Sequence, residues 1–310
     1  MAHCFDRTMA KALPRTIEQH VVAAAHALAQ AKVTLGHGTA TPIDEAAFLV
    51  GEALGIAPAH LAAHWHRRTD GKAIAELVAT RIRTRTPAPY LTKSAYIQGI
   101  KFYVDERALV PRSFIGELLF APHIVGATAF IPTPGRIKRV LDLCTGSGCL
   151  AILAAKVFRQ AKVDAVDLSP DALEVAKINV RRHRLGRRVT LYGGDLFAAL
   201  PRRTYDLIIC NPPYVAPASM RRLPAEYRRE PALALAGGGR DGMNLVARIL
   251  AETPKWLTPT GALMCEIGAG RRALERRFPG LNFMWLDTAE SSGEVFWLTA
   301  SDFPLPMNSR

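Results

Sequence analysis

The sequence predicts an α/β protein: a doubly wound, Rossmann-like sheet of seven strands, preceded by a small helical domain and a β-hairpin linker. Three observations carry that expectation. From Arg139 onward, short β-branched runs alternate with glycine turns and helical periodicity, the pattern of a parallel sheet covered on both faces. A Gly146-Ser147-Gly148 turn joins the first of these strands to its helix. The last two strand candidates stand close enough to pair antiparallel, as a terminal hairpin.

Taken in order, residues 1–94 read as helices. In IEQHVVAAAHALAQA an apolar face is expected from Ile17, Val21, Val22, Ala25 and Leu28. A second helix opens at Thr41, with Pro42 at its first position and Asp44 at N3, and closes at Gly55. A third carries Ile74, Leu77, Val78 and Ile82 and is stopped by Pro87. Residues 95–112 alternate apolar and polar around Gly99, as a β-hairpin linker does. The catalytic part is placed at 113–310, with a helix in FIGELLFAPHIV and a loop at IPTPG. Its strands are expected at 139–143, 162–167, 189–192, 206–210, 261–266, 282–286 and 294–299.

Composition bounds the function. The 310 residues make room for one large domain or two ordinary ones, and 49% hydrophobic content supplies a core. No apolar run approaches the ~20 residues of a membrane span, and no signal peptide is visible, so a cytoplasmic protein is expected. The five cysteines, Cys4, Cys144, Cys149, Cys210 and Cys265, are scattered without C-x-x-C spacing. They read as small buried hydrophobes. His60, His64 and His66 read as surface or packing histidines and no metal is expected. A net charge of +13, with arginine doublets throughout and a dense run from Arg181 to Arg188, fits contact with nucleic acid or a nucleic-acid-associated partner. It also fits solvated basic faces.

The chemistry concentrates at strand ends. After the strand Val140-Leu141-Asp142-Leu143 come Cys144, Thr145, Gly146, Ser147 and Gly148. Asp167, which ends the next strand, follows Gly148 by nineteen residues (167 − 148). A carboxylate there can accept both ribose hydroxyls of a nucleoside. The loop lacks the third glycine of a pyrophosphate-binding turn. A further acid, Asp195, ends the third strand, where an adenine amino group can donate to it. Acids after three successive strands, without a phosphate cradle, suit S-adenosylmethionine. The residues assigned to that cofactor are Asp142, Cys144, Thr145, Gly146, Ser147, Gly148, Asp167, Leu168, Asp195, Leu196, Phe197 and Asn211. For Asp142 a second role stays open, ordering the loop by accepting backbone N–H groups.

The fourth strand runs into Asn211-Pro212-Pro213-Tyr214. Two prolines end the strand and stiffen the turn. The Asn211 side-chain oxygen and the Pro212 carbonyl can accept both N–H bonds of a planar, conjugated amine, with Tyr214 lying against its flat face. This pattern resembles the amino-methylating class I methyltransferases. Alone it does not separate adenine-N6, cytosine-N4 and glutamine-N5 acceptors.

A helical domain, a hairpin linker and the late Val110-Pro111-Arg112-Ser113 together resemble the HemK/PrmC/PrmB family of protein-(glutamine-N5) methyltransferases, from about residue 15 onward. The release-factor enzymes usually read PRPETE at this point. Here YVDERALVPRSFIGELL and LPAEYRREPALALAGGGRDGMNLVARIL are similar to the PrmB branch, which methylates a glutamine of large-subunit ribosomal protein L3. Phe114 and Gly116 depart mildly from that branch's PIAEL. Cys144 stands where many relatives have glycine, which leaves the turn's left-handed positions to Gly146 and Gly148. The resemblance implies a fold of class I type, S-adenosylmethionine as cofactor, and Asn211, Pro212, Pro213 and Tyr214 as catalytic residues. It implies L3 as partner, free or in an assembling subunit near rRNA. A release-factor methylase, an adenine-N6 methylase and a non-catalytic assembly factor are the alternatives.

Overall fold

The computed structural model describes residues 15–303 apart from 128, 132 and 290; Cys4 lies outside them. The chain forms two compact units. One holds the residues up to Ser94 together with Pro224–Arg229; the other holds Ala95–Leu223 and the residues from Glu230 on.

In the first unit, α1 (Ile17–Gln30) starts at a capping box in which Thr16 and Gln19 satisfy each other's backbone N–H. It buries Ile17, Val21, Ala24 and Leu28. The expected face is corrected here: Val22 is 57% exposed, and Ala24 takes its place because 17, 21, 24 and 28 keep the 3.6-residue period. Helix α2 (Pro42–Leu54) has the Thr41–Asp44 capping box and ends at left-handed Gly55 (φ 68°). Helix α3 (Lys72–Thr84) ends at Arg85 (φ 57°), just ahead of Pro87. Among its buried residues is a charge, Arg81. Its Nε donates to Glu45 Oε1 (2.8 Å) and its Nη2 to the Thr34 carbonyl (2.8 Å), while Nη1 lies 3.5 Å from Glu226 Oε1. Glu226 also accepts the Thr34 N–H at 2.9 Å, so the Pro224–Arg229 segment is pinned within this unit. His60, His64 and His66 are exposed.

The second unit opens with a hairpin, β1 (Ala95–Ile97) and β2 (Ile100–Phe102). Its two-residue turn has positive φ at both Gln98 (51°) and Gly99 (69°), the geometry that matches strand twist. A short helix, α4 (Phe114–Leu118), precedes the sheet. The sheet elements follow in order: β3 (Arg139–Leu143), α5 (Cys149–Val157), β4 (Lys162–Asp167), α6 (Pro170–Arg182), β5 (Val189–Gly193) and β6 (Tyr205–Cys210). Then come α7 (Asn244–Glu252), β7 (Leu257–Glu266), α8 (Arg271–Arg277), β8 (Met284–Leu286) and β9 (Val295–Thr299).

The seven strands lie in the order β8-β9-β7-β6-β3-β4-β5. They are parallel except for β9, which runs antiparallel to both β7 and β8. This is the class I methyltransferase sheet. Strand β7 starts earlier than expected, taking up Pro259 at a register shift between the Tyr205 and Leu207 pairings, where a missing N–H is tolerated.

Successive strand residues feed opposite cores. Val140, Leu207, Ile209 and Met264 pack with α4 and α5, whereas Leu141, Leu143, Ile208 and Leu263 pack with Val246, Ile249 and Leu250 of α7. Among the described residues no single helix is long and apolar enough to cross a membrane.

Candidate active site

The carboxyl ends of β3, β4, β5 and β6 converge on a cavity of about 410 Å³. Its wall includes Cys144, Thr145, Gly146, Ser147, Asp167, Leu168, Asp195, Leu196, Asn211 and Pro213. Asp142, Gly148, Phe197, Pro212 and Tyr214 are not among the lining residues.

The loop after β3 takes three left-handed residues, Cys144 (φ 57°), Gly146 (φ 55°) and Gly148 (φ 78°). The glycines alone were expected to carry this conformation; Cys144 shares it at a steric cost of roughly 1–2 kcal/mol. Cys144 is also half-buried on the cavity wall, whereas Cys149, which reaches the same wall, Cys210 and Cys265 are buried. A side chain at Gly146 would meet nothing within 4 Å, so that glycine opens the cavity. At Gly148 a Cβ would come within 3.0 Å of Ala176 on α6, so that glycine permits close helix packing.

Asp142 is fully buried beneath the loop. Its Oδ2 accepts the Thr145 hydroxyl (2.5 Å) and the Ala151 N–H (2.9 Å), tying the loop to the start of α5. Burial pushes its carboxyl up to about 7, against the pull of those hydrogen bonds. These are bonds that order the loop. Asp167 is differently placed: Oδ2 accepts the Gly146 N–H (2.7 Å), Oδ1 the Ser169 N–H (2.8 Å), and the carboxylate lines the cavity. Burial raises its pKa, opposed by those N–H bonds. Asp195, half-exposed, forms a 2.7 Å ion pair with Arg248 of α7, a cavity residue that the sequence reading missed.

The Asn211–Tyr214 turn is gripped from behind by glycines. A Cβ on Gly237 would lie 1.9 Å from the Gly242 carbonyl and 2.6 Å from Tyr214 Cα; one on Gly242 would lie 2.2 Å from the Tyr214 carbonyl. Backbone bonds from Val215 to Leu235 (2.8 Å) and from Gly237 to Val215 (3.2 Å) fix this contact. The Tyr214 ring lies over Gly268, where a Cβ would be 2.7 Å from Cε2. Gly237→Ala must therefore shift the turn. Turnover should fall about a hundredfold, the cost of a misplacement near 1 Å, and single-turnover rates would expose it; an unchanged rate would mean the turn needs no such grip.

The 110–113 linker forms the facing wall, anchored by two buried glutamates. Arg112 makes a bidentate pair with Glu230 (2.6 Å and 2.6 Å), which also accepts the Val110 N–H at 3.1 Å. Glu266, at the end of β7, accepts the Ser113 hydroxyl (2.6 Å) and the Phe114 N–H (2.9 Å). Burial pushes the Glu266 carboxyl up to about 7. A folded-state pKa above the unfolded value means stability present below about 4.5 and lost as pH rises through about 7. Glu266→Gln should flatten that part of the pH dependence, read from urea midpoints between pH 5 and 8; an unaltered slope would assign it elsewhere.

Comparison with known proteins agrees with this architecture. The model of the methyltransferase small domain matches residues 126–240. The ribosomal protein uL3 glutamine methyltransferase of Bradyrhizobium diazoefficiens is 53% identical, over 88% of this chain and 87% of its own. Those of Bordetella pertussis and Burkholderia pseudomallei are 49% and 46% identical, each over more than nine-tenths of both chains. The chain belongs to the family of ribosomal protein uL3 glutamine methyltransferases.

Proposed function

We propose that this protein transfers a methyl group from S-adenosylmethionine to the side-chain amide nitrogen (N5) of a glutamine in ribosomal protein uL3. One observation carries the reading: Asn211 and Pro213 of the stiff Asn211–Tyr214 turn line the same cavity as Asp167 and the glycine loop. The names of the relatives supply the acceptor.

The residues present fit the cofactor. Gly146 leaves space, and each Asp167 oxygen keeps a lone pair beyond the backbone bond it accepts, enough for two ribose hydroxyls. Asp195 Oδ1 remains for an adenine amino group while Oδ2 holds Arg248. S-adenosylmethionine supplies an electrophilic methyl group on a sulfonium. Asn211 and the Pro212 carbonyl hold the acceptor amide by its N–H bonds. Those bonds strengthen as the nitrogen becomes positive, which favours the transition state. The amide proton leaves after transfer, so no general base is required; Asp142 and Glu266 are structural carboxyls. The helical unit selects the protein substrate, met in the cytoplasm either free or in an assembling large subunit near rRNA.

Asp167→Ala should weaken S-adenosylmethionine binding at least about tenfold, since two charge-assisted bonds of ~1.5–3 kcal/mol each disappear. Calorimetry reads this directly, and unchanged binding would remove Asp167 from the ribose site. The reading as a whole is tested by incubation with methyl-labelled S-adenosylmethionine and purified uL3, release factor and rRNA. Label on a uL3 glutamine is the expected result. Label on release factor or RNA instead, or on nothing, would overturn it.

A further inference from the structure

The second unit carries a basic surface depression at the end of α6 and in the loop that leads into β5, away from the carboxyl ends of the strands. Helix α6 starts just after Asp167 at the cofactor end and runs back along the sheet, so its last turn lies roughly 20 Å from the cavity. There Arg181, Arg184 and Arg187, with Lys177 a turn earlier, line a shallow, open depression together with Val180 and Gly186.

The neighbouring basic residues are engaged in the fold. Arg182 stacks over Tyr103 (4.8 Å), and Arg188 donates to the Phe158 and Arg159 carbonyls (3.3 Å and 2.9 Å). His183 is hydrogen-bonded to the Lys101 carbonyl (3.1 Å). By contrast, the side chains of Arg181, Arg184 and Arg187 are exposed and make no ion pair or hydrogen bond with the described residues. Among the described residues the acid paired with the groove is Glu174, 3.6 Å from Lys177, and both are largely in water. Like charges gathered in one depression repel, so the arrangement favours a polyanion.

We infer that this groove binds the phosphate backbone of double-helical RNA. Its chemistry decides among anions. The lining has no aromatic ring on which an unpaired base could stack, which argues for a duplex over a single strand. It has no exposed apolar residue to enter a bilayer, Val180 being 7% exposed and the large exposed hydrophobics lying elsewhere. Duplex RNA over other polyanions follows from the proposed acceptor, a ribosomal protein, and to that extent the inference rests on the preceding reading. Placement at the far end of α6 leaves the catalytic opening free while the enzyme stays on an RNA particle.

The test uses the full chain and a fluorescein-labelled RNA duplex of about 24 base pairs, followed by anisotropy across a KCl series. The triple variant R181A/R184A/R187A should bind at least about tenfold more weakly near 0.1 M salt. The slope of log affinity on log salt should fall by roughly two to three, near one phosphate contact per arginine. A second triple variant, R136A/R202A/R276A, removes the same net charge from exposed arginines elsewhere in the unit and should stay within about twofold of the parent. Equal losses in both variants, or no loss in the first, would overturn the groove. Tighter binding to phosphatidylserine vesicles than to the duplex would overturn the RNA assignment. S-adenosylmethionine affinity serves as the folding control. Label transfer to uL3, measured separately, lets failure of the acceptor assignment be told from failure of the groove.

Discussion

Asn211→Ala should lower turnover on uL3 by roughly a hundred- to a thousandfold while S-adenosylmethionine affinity stays near normal. The residue follows the last position of β6 and lines the cavity, so its side chain can be cut back without disturbing a strand. What disappears is one acceptor for an amide N–H that gains positive charge during transfer. In a site closed to water that loss is worth ~3–4 kcal/mol. The turn itself is held by other groups, namely the two prolines and the Gly237–Gly242 backbone pressed against Tyr214. Geometry should therefore survive, and the loss should fall on kcat. Asn211→Asp keeps an acceptor but adds a negative charge beside the sulfonium site, so cofactor binding should tighten while turnover still falls. Calorimetry for the cofactor and label transfer to uL3 separate the two effects. Turnover surviving the alanine change would sink the assigned role of the tetrad.

The parts of the fold that were legible are those written in local pattern. Strands buried on both faces read as largely apolar runs, so Leu207–Cys210 announces itself, and Val140–Leu143 does so around the single charge of Asp142. Thr41, Pro42 and Gly55 mark helix ends by chemistry that acts within one turn. The strand-end acids stand at fixed offsets from a glycine loop, so the sequence already sets Asp167 and Asp195 at the strand ends where the cavity lies. Buried charge was not legible. Arg81, Glu45, Glu226, Glu230 and Glu266 sit among residues of ordinary surface composition, and their partners are far away in the chain. A pairing of that kind has no periodic signature. Gly237 and Gly242 fall in the stretch that carries the resemblance, but the reason for them, contact with the Tyr214 backbone, is tertiary. Asp142 shows the limit from the other side: its position allowed either a ligand contact or a structural bond, and the structural bond, to Thr145 and Ala151, is the one the structure shows.

The buried charges make the second large expectation a stability effect. Arg81→Met should destabilise the helical unit by about 3–5 kcal/mol, the usual cost of stranding a buried carboxylate. Glu45 would suffer most. It is fully buried, and without Arg81 it would be left with the Thr39 hydroxyl at 3.4 Å. The two glutamates shift in opposite directions around the same guanidinium. Glu45 is raised, because burial outweighs Arg81; Glu226 is lowered, because the Thr34 N–H and the positive charge of Arg81 outweigh burial. Removing Arg81 therefore drives Glu45 further up. A raised group loses stability as pH climbs from its unfolded value toward the folded one, so the deficit should be smaller at pH 5 than at pH 8. Hydrogen exchange resolved to α1, α2 and α3 reads the helical unit apart from the sheet. Adding Glu45→Leu and Glu226→Gln to Arg81→Met should restore much of the protection, since an apolar replacement of a buried ion cluster is often neutral. If Arg81→Met alone left exchange in these helices unchanged at pH 8, the cluster would not hold Pro224–Arg229 in the helical unit.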